Sequence, residues 1–475
     1  MLFNSIEFFW FLPIVFIIYW SISFFRLTFQ NFFIVIASYF FYGYWDWFLL
    51  VLIIASTLLD FSAGLLLKVE KKQSIRFSIL LISIIGNLGM LFCFKYYNFF
   101  VYNFNQAFTF FGNAIELPTL QLILPVGISF YTLQTMSYTI DVYNRKLEAT
   151  KDFISFSAFV SFFPQLVAGP IERATHLLPQ FYTKRVFSYE KARDGMRQIL
   201  WGISKKIILA DTCAKFTNEL FIHSENYSGS SLVLGLFLFT IQIYCDFSGY
   251  SDIAIGTARL FGFELMQNFN FPYFSKNIRE FWQKWHISLS TWFRDYIYIP
   301  LGGNKKNKII VIRNVFVVFI LSGLWHGASW NFIVWGIIHA VLMLPSILLR
   351  KHFFIQNKFT DTLRVLLTFS IIMLTWVFFR TSNLSQAFHF IQSIFTPSLF
   401  SIPYIDIKDG YLSLLIMILC FILIEWNGKN YSFSFKIIEK VKRKAVRWAV
   451  YLFLLILIYF MVNNEENLEF IYFQF

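Results

Sequence analysis

The stretch "VFVVFILSGLWHGASWNFIVWGIIHAVLML", residues 315–344, is almost entirely apolar and carries a histidine near its centre. Apolar runs of about 17–25 residues are long enough to cross a bilayer as helices. An ionisable side chain inside such a run is costly, so it is by default a candidate functional residue. His326 therefore raises two questions: which class of protein carries it, and what its imidazole does there.

Apolar runs of this kind recur along the whole chain. The 475 residues are 57% hydrophobic and 14% charged, whereas soluble proteins are about one quarter charged. The runs fall at residues 8–25, 32–67, 77–94, 231–244, 315–349, 365–379, 412–424 and 445–462. They lack the strict alternation of a membrane β-barrel. The pattern predicts an all-α polytopic membrane protein.

Charge is concentrated in the short connections between these runs. Basic connections mark the cytoplasmic side of a membrane protein, and the clearest lie at 68–76, 305–313, 350–364 and 429–447. Counting helices from them places the N-terminus, and the start of the tail, on the outer face. The net charge of +13 indicates contact with membrane lipids and not with nucleic acid. We predict a multi-pass membrane protein, with a first segment retained as a helix.

The chain is predicted to be one integral membrane domain over residues 1–475. Its core motifs occupy 118–350, further helices 361–463 and an aromatic tail 464–475. Proline and glycine interrupt the apolar segments at 118–143 and 159–173. These segments are either re-entrant elements lining a cavity or ordinary kinked helices, and spacing alone leaves both open.

An amphipathic stretch, "IREFWQKWHISLSTWFRDYIY" (278–298), separates two of the apolar runs. Helical spacing gathers its large apolar side chains into one stripe: Trp282, Trp285, Leu289, Trp292 and Tyr296. Such a helix lies in the headgroup plane, with the stripe toward the acyl chains and Arg294 on the polar side. His286 falls at the border of the stripe, where it either meets an amphiphilic ligand or is a solvated interfacial residue.

Two interpretations of His326 follow from the residues alone. It is either a neutral imidazole hydrogen-bonded to a neighbouring helix or a general base. Gly327 leaves room beside the ring, and helical spacing places Ser322 and Trp330 near the same face. Burial favours the neutral imidazole that a general base requires. His339 falls on nearly the opposite face and is interpreted as structural.

A second group of ionisable residues lies in "YCDFSGYSDIAIG" (244–256). Asp246 and Asp252 are carboxylates in an apolar segment, suited either to orienting a histidine or to binding a cation in a transporter. The four cysteines are scattered, with no zinc-ligand or disulfide spacing, so no metal site is predicted.

Four pieces of the sequence resemble the membrane-bound O-acyltransferases, in particular the bacterial branch that O-acetylates alginate or peptidoglycan. They are "MLFNSIEFFWFLPIVFIIYW", "FPQLVAGPIER", the pair "YCDFSGYSDIAIG" with "NFPYFSKNIREFWQKWHISLSTWFRDYIYIPLGG", and "LSGLWHGASWNFIVWGIIHA". Together they cover most of residues 1–350. The Trp325–His326–Gly327 triplet matches the family's catalytic histidine, and His286 matches its second histidine.

The resemblance implies a ring of transmembrane helices, with re-entrant segments, around a thin central region. There a cytoplasmic funnel meets an outer cavity near the catalytic histidine. It also implies acetyl-CoA as the donor substrate, no permanently bound cofactor, and a polysaccharide acceptor outside the cell. His326 would then lie at depth because its two substrates come from opposite faces.

The tail "EFIYFQF" (469–475) resembles the C-terminal hexapeptide of the small partner protein in teichoic-acid D-alanylation. That resemblance implies that Tyr472 is an acyl relay, passing acetyl to an extracytoplasmic transferase partner. The alternative is a tail simply buried in an interface. Other functions also stay open: transfer of D-alanine or a longer acyl chain, a proton- or ion-coupled transporter, and a scaffold that holds another transferase.

Overall fold

The computed structural model describes residues 1–110, 117–167, 169–348, 357–406, 410–464 and 470–471. Within these ranges every regular element is a helix and no strand occurs, which confirms the all-α prediction. Eight of the described helices are long and apolar enough to cross a membrane, and three shorter apolar helices accompany them. Many outward-facing side chains are large and apolar, including Trp448, Phe453 and Tyr459, as expected of a lipid-facing surface.

The described chain divides into two compact units. Unit 1 comprises Met1–Gly195 and Ala254–Met266, and unit 2 comprises Met196–Ile253 and Gln267–Phe475. The single domain over 1–475 stays a prediction, as do the ring of helices, the thin central region, the funnel and the outer cavity.

Unit 1 is built mainly from the first ten helices. They are α1 (Ile6–Ser21), α2 (Leu27–Gly43), α3 (Leu50–Val69), α4 (Gln73–Leu91), α5 (Tyr97–Phe110), α6 (Ile128–Tyr143), α7 (Phe153–Ser161), α8 (Phe163–Leu166), α9 (Ala174–Leu177) and α10 (Tyr189–Ser204), the last of which continues into unit 2. The run 32–67 holds two helices, because the chain turns between α2 and α3. The interruptions at 118–143 and 159–173 are real, since α6 begins only after Gly127 and α8 follows a break at Phe162.

A buried carboxylate joins three helices of unit 1. Asp60 on α3 accepts hydrogen bonds from Asn87 Nδ2 on α4 at 2.7 Å and from Thr139 Oγ1 on α6 at 2.6 Å. Ser83 on α4 donates a further bond to the same carboxylate. Interhelical hydrogen bonds between polar side chains stabilise the packing of membrane helices. Asp60 therefore has a structural role.

Unit 2 contains the remaining helices and the candidate site. They are α11 (Thr212–Ile222), α12 (Gly229–Leu260, whose last turns belong to unit 1), α13 (Ile278–Lys284), α14 (Ile287–Phe293), α15 (Lys308–His326), α16 (Trp330–Leu348), α17 (Lys358–Thr375), α18 (Val377–Arg380), α19 (Leu384–Ile394), α20 (Tyr411–Gly428) and α21 (Lys444–Asn464). Two π-helical segments, Lys205–Asp211 and Arg294–Tyr298, extend α10 and α14.

The stretch 315–344 folds as a tight antiparallel hairpin of α15 and α16. A Cβ atom added at Gly323 would lie 2.1 Å from the carbonyl oxygen of Phe332, and one at Gly336 would lie 2.3 Å from that of Phe319. Two helix backbones approach this closely only where one residue of each contacting pair has no side chain. The glycines thus fix the packing and register of the hairpin.

Candidate active site

His326 is the last residue of α15 and not the centre of one continuous apolar helix. Gly327 leaves the helix in an extended conformation, and α16 begins at Trp330. Helical spacing therefore cannot relate Trp330 to His326, because the helix ends between them. Ser322, one turn earlier on α15, is buried as His326 is.

Aromatic side chains surround the His326 ring. The ring centroid lies 5.0 Å from Trp325, 5.3 Å from Trp335 on α16 and 5.0 Å from Phe379 on α18. Only 3% of His326 is exposed. The sequence did not single out Trp335 or Phe379, because α16 and α18 approach His326 only through tertiary packing.

His286 occupies a sharp turn that divides the predicted helix 278–298. Its φ of 43° and ψ of 54° are left-handed, which is uncommon for a residue other than glycine and marks a backbone held by its surroundings. Two backbone hydrogen bonds hold it: Asn270 N–H donates to Lys284 O at 2.9 Å, and Ile287 N–H donates to Asn268 O at 2.9 Å. The continuous amphipathic helix was therefore a wrong prediction; α13 and α14 flank the turn.

The turn also buries the face that was expected to meet lipid. His286 is fully buried, and the stripe residues Trp285 and Leu289 are each 1% exposed. His286 is therefore neither a border residue nor a solvated interfacial histidine. It lies inside unit 2, where its ring centroid is 6.5 Å from that of His326 and 5.8 Å from that of Trp325.

Asn268 determines which nitrogen of His286 carries the proton. Asn268 Oδ1 accepts a hydrogen bond from the backbone N–H of Ser288 at 3.4 Å and from Ser288 Oγ at 2.9 Å. A backbone N–H can only donate, so the amide oxygen must face this side. His286 Nδ1, 3.0 Å from the same oxygen, must therefore be the donor. In the neutral ring the lone pair is then on Nε2.

Burial keeps this ring neutral. It lowers the pKa of His286 to about 3, since charging the imidazole would require a cation in a buried setting. A neutral ring with its proton on Nδ1 accepts a hydrogen bond or a proton at Nε2 and donates nothing from that atom. In this tautomer Nε2 has no hydrogen with which to polarise a carbonyl group.

His339 has a structural role, as expected. Its Nδ1 accepts a hydrogen bond from Trp282 Nε1 at 3.2 Å, which joins α13 to α16.

The two carboxylates of α12 are paired with lysines and not with histidines. Lys206 Nζ lies 2.9 Å from Asp246 Oδ1, and Lys205 Nζ lies 2.6 Å from Asp252 Oδ2. A lysine ammonium group therefore occupies the place beside each carboxylate that a histidine or a bound cation was expected to take. Among the described residues no cluster suited to a metal ion occurs. The adjacent lysines in "SKKIIL" were the missed signal, because two charges in an apolar run require buried partners.

Arg294 begins the π-helical segment that follows α14. Its guanidinium is mostly exposed and lies 2.8 Å from the carboxylate of Asp295. It is therefore not part of the buried histidine pair.

Only two residues of the C-terminal tail beyond α21 are described, Phe470 and Ile471, and both are buried in unit 2. The Phe470 ring lies 4.7 Å from Tyr250 and 5.7 Å from Phe247, and the Phe247 ring lies 4.7 Å from His286. The Phe247 ring therefore lies between Phe470 and His286. Tyr472 lies outside the described residues.

The fold and this site define a polytopic helical membrane protein whose candidate active site contains a pair of buried histidines. The model of the MBOAT, membrane-bound O-acyltransferase family, matches residues 144–385, which include both histidines. The chain belongs to this family. It is an acyltransferase and a multi-pass protein of the bacterial inner membrane.

Three relatives show which members of the family this chain is similar to. "Probable alginate O-acetylase AlgI" of Pseudomonas aeruginosa is 39% identical over 370 residues, 77% of this chain and 70% of the relative. "Peptidoglycan O-acetyltransferase" of Helicobacter pylori is 35% identical over 420 residues, 82% of this chain and 78% of the relative. "Teichoic acid D-alanyltransferase" of Bacillus subtilis is 29% identical over 272 residues, 53% of this chain and 67% of the relative.

Proposed function

We propose that this chain transfers an acetyl group from cytoplasmic acetyl-CoA toward hydroxyl groups of an exported or cell-wall polysaccharide. The buried histidine pair within the family's matched region is the observation that carries the proposal. Acetyl is favoured over D-alanyl or a longer acyl group, because the O-acetylating relatives share more identity over more of the chain. No permanently bound cofactor is required.

His326 is the proposed general base. It takes the proton of the acceptor hydroxyl as that oxygen attacks the thioester carbonyl carbon. The carbon–sulfur bond then breaks, the new ester leaves with the acetyl group, and the imidazolium returns the proton to the CoA thiolate. The aromatic rings of Trp325, Trp335 and Phe379 pack around this imidazole and limit the access of water to it.

His286 is proposed to position a substrate through its Nε2 lone pair. An acceptor hydroxyl that donates to this atom would be oriented beside His326, whose ring centroid is 6.5 Å away. We place the pantetheine arm of the donor beside the 278–298 segment. The exposed guanidinium of Arg294 is then a candidate contact for its phosphates.

Tyr472 is the proposed acyl relay. A tyrosine hydroxyl has an ordinary pKa near 10 and is a poor nucleophile without a base, which His326 would supply. The burial of Phe470 and Ile471 supports a tail that turns back into unit 2. The acetylated tyrosine would then deliver acetyl to an extracytoplasmic transferase partner and its polysaccharide.

The relay is tested by Tyr472→Phe, which removes the hydroxyl and keeps the ring. We expect acetyl delivery to the polysaccharide to fall by about 100-fold or more, because the acyl group then has no oxygen to occupy. Labelled acetyl in the polymer is the measurement. Tyr459→Phe, an exposed tyrosine on α21, is the matched control and should retain full delivery. Full delivery by Tyr472→Phe would remove the relay role.

Asn268→Asp tests the assignment of the His286 proton. A carboxylate against Nδ1–H raises the pKa of His286 from about 3 toward its ordinary value near 6.5. The proposed role requires the neutral ring, so the variant should lose activity at a higher pH than the wild type as the solution is acidified. The pH profile of acetyl-CoA turnover measures the shift.

The control for this experiment is Asn270→Asp. Asn270 is exposed and holds the turn through its backbone N–H. Its substitution should therefore not change the pH at which turnover is lost as the solution is acidified. The assigned tautomer would be contradicted if Asn268→Asp and the wild type lost turnover at the same acidic pH, even if the overall turnover of the variant fell.

A further inference from the structure

A buried carboxylate accepts a hydrogen bond from the described end of the C-terminal tail. The backbone N–H of Ile471 donates to Asp246 Oδ2 at 2.7 Å, and this bond is buried. Ile471 is 2% exposed and Phe470 is 1% exposed. Asp246 accepts the bond from a chain segment 225 positions away, so the contact is tertiary and not a local turn.

The carboxylate is itself fixed in place by a lysine. Lys206 Nζ lies 2.9 Å from Asp246 Oδ1 and 2.8 Å from Asp211 Oδ1, and it is almost fully buried. A buried ammonium between two carboxylates leaves little freedom to any of the three groups. One oxygen of Asp246 therefore faces the lysine, while the other faces the tail amide.

The anchor point lies next to the candidate site. Asp246 precedes Phe247 on α12, and the Phe247 ring contacts both His286 at 4.7 Å and Phe470 at 5.7 Å. A fixed position for Ile471 therefore fixes the point from which the chain continues to Tyr472. A shift of one residue would bring a different side chain to that position.

We propose that Asp246, held by Lys206, is a positioning residue that sets the register of the C-terminal tail in the site. Its role as a relay anchor depends on the proposed function, whereas the anchoring itself does not. Asp252 offers a matched comparison on the same helix. It is paired in the same way with Lys205 at 2.6 Å, and it accepts a further hydrogen bond from Gln198 Nε2 rather than from the tail.

The test measures how fast carboxypeptidase digests the tail of the full-length protein in the wild type and in each variant. Intact mass shows which residues have been removed. In the wild type, digestion should stop before Ile471 is removed. Asp246→Leu removes the acceptor, and loss of Ile471 and Phe470 should become at least about tenfold faster. Asp246→Asn keeps a weaker acceptor and should be intermediate. Asp252→Leu disturbs an equivalent buried pair and should leave the tail protected.

Acetyl delivery gives an independent readout. Asp246→Leu should lower it at least about tenfold, and the same substitution should have no further effect once residues 470–475 are deleted. The proposal would be overturned if carboxypeptidase digested the tail no faster in Asp246→Leu than in the wild type. It would also be overturned if Asp252→Leu exposed the tail as much as Asp246→Leu does. If the tail is exposed in Asp246→Leu but Tyr472→Phe keeps full delivery, the anchor stands and the relay fails.

Discussion

His326→Ala is expected to lose acyl transfer while the protein remains folded. General-base assistance contributes about 10²–10⁴-fold to a reaction rate, so acetyl-CoA turnover should fall by about that factor. The loss should appear in turnover more than in donor binding, because the imidazole acts on the proton of the attacking hydroxyl. Turnover by purified protein, with thermal unfolding measured on the same sample, is the experiment.

His339→Ala is the matched control for that variant. Both histidines belong to the α15–α16 hairpin, are buried, and contact the Trp335 ring, at 5.3 Å for His326 and 4.6 Å for His339. His339→Ala should lower the unfolding temperature, because Trp282 loses its hydrogen-bond acceptor, and should keep most of its turnover. Normal turnover in folded His326→Ala would end the assignment and favour a scaffold that only holds another transferase.

Gly323→Ala should destabilise the hairpin that carries His326. The new methyl group would lie 2.1 Å from the carbonyl oxygen of Phe332, a distance that only a movement of α15 away from α16 can relieve. Overpacking of this kind costs about 1–3 kcal/mol or more. We expect a clear fall in unfolding temperature, and a fall in turnover because His326 follows one turn later.

Gly89→Ala separates this effect from ordinary helix propensity. Gly89 lies in α4, and nothing is within 4 Å of the position its Cβ would take. Alanine there should be neutral or stabilising by about 0.5–1 kcal/mol, because glycine loses more backbone entropy on folding. Equal unfolding temperatures for Gly323→Ala and Gly89→Ala would contradict the close backbone contact.

The sequence predicted the fold class and the pair of histidines, but not the structure around them. Apolar run length is a local property, so the helical membrane character followed from composition. The left-handed turn at His286 was not predictable from residues 278–298, because it depends on hydrogen bonds that Asn268 accepts and Asn270 donates. The partners of Asp246 likewise come from a lysine 40 positions earlier and from the tail.

The break after His326 has a local signal in the sequence. Glycine ends helices, and the serine two residues after Gly327 favours a new helix start. The sequence "HGASW" therefore indicates a break between α15 and α16. Helical spacing does not relate residues on one side of this break to residues on the other. The position of His326 follows from the break, since it lies at the end of a 19-residue helix that begins at Lys308.

The position of His326 at the end of α15 bears on how the two substrates meet. At 1.5 Å per residue, α15 carries the chain about 27 Å from Lys308 to His326, close to the thickness of a bilayer core. Lys308 belongs to a connection predicted to be cytoplasmic. We therefore propose that the donor must extend its thioester through unit 2 to reach the imidazole, whereas the acceptor or the tail reaches it from the other face.

Proteoliposomes with a known protein orientation test this account most directly. Labelled acetyl-CoA is supplied only to the face bearing the basic connections, and the transferase partner and its polysaccharide only to the opposite face. The account predicts labelled ester on the acceptor face, CoA thiol released on the donor face, and neither product with His326→Ala. Label that crosses only as intact acetyl-CoA, or transfer that persists without the imidazole, would contradict it.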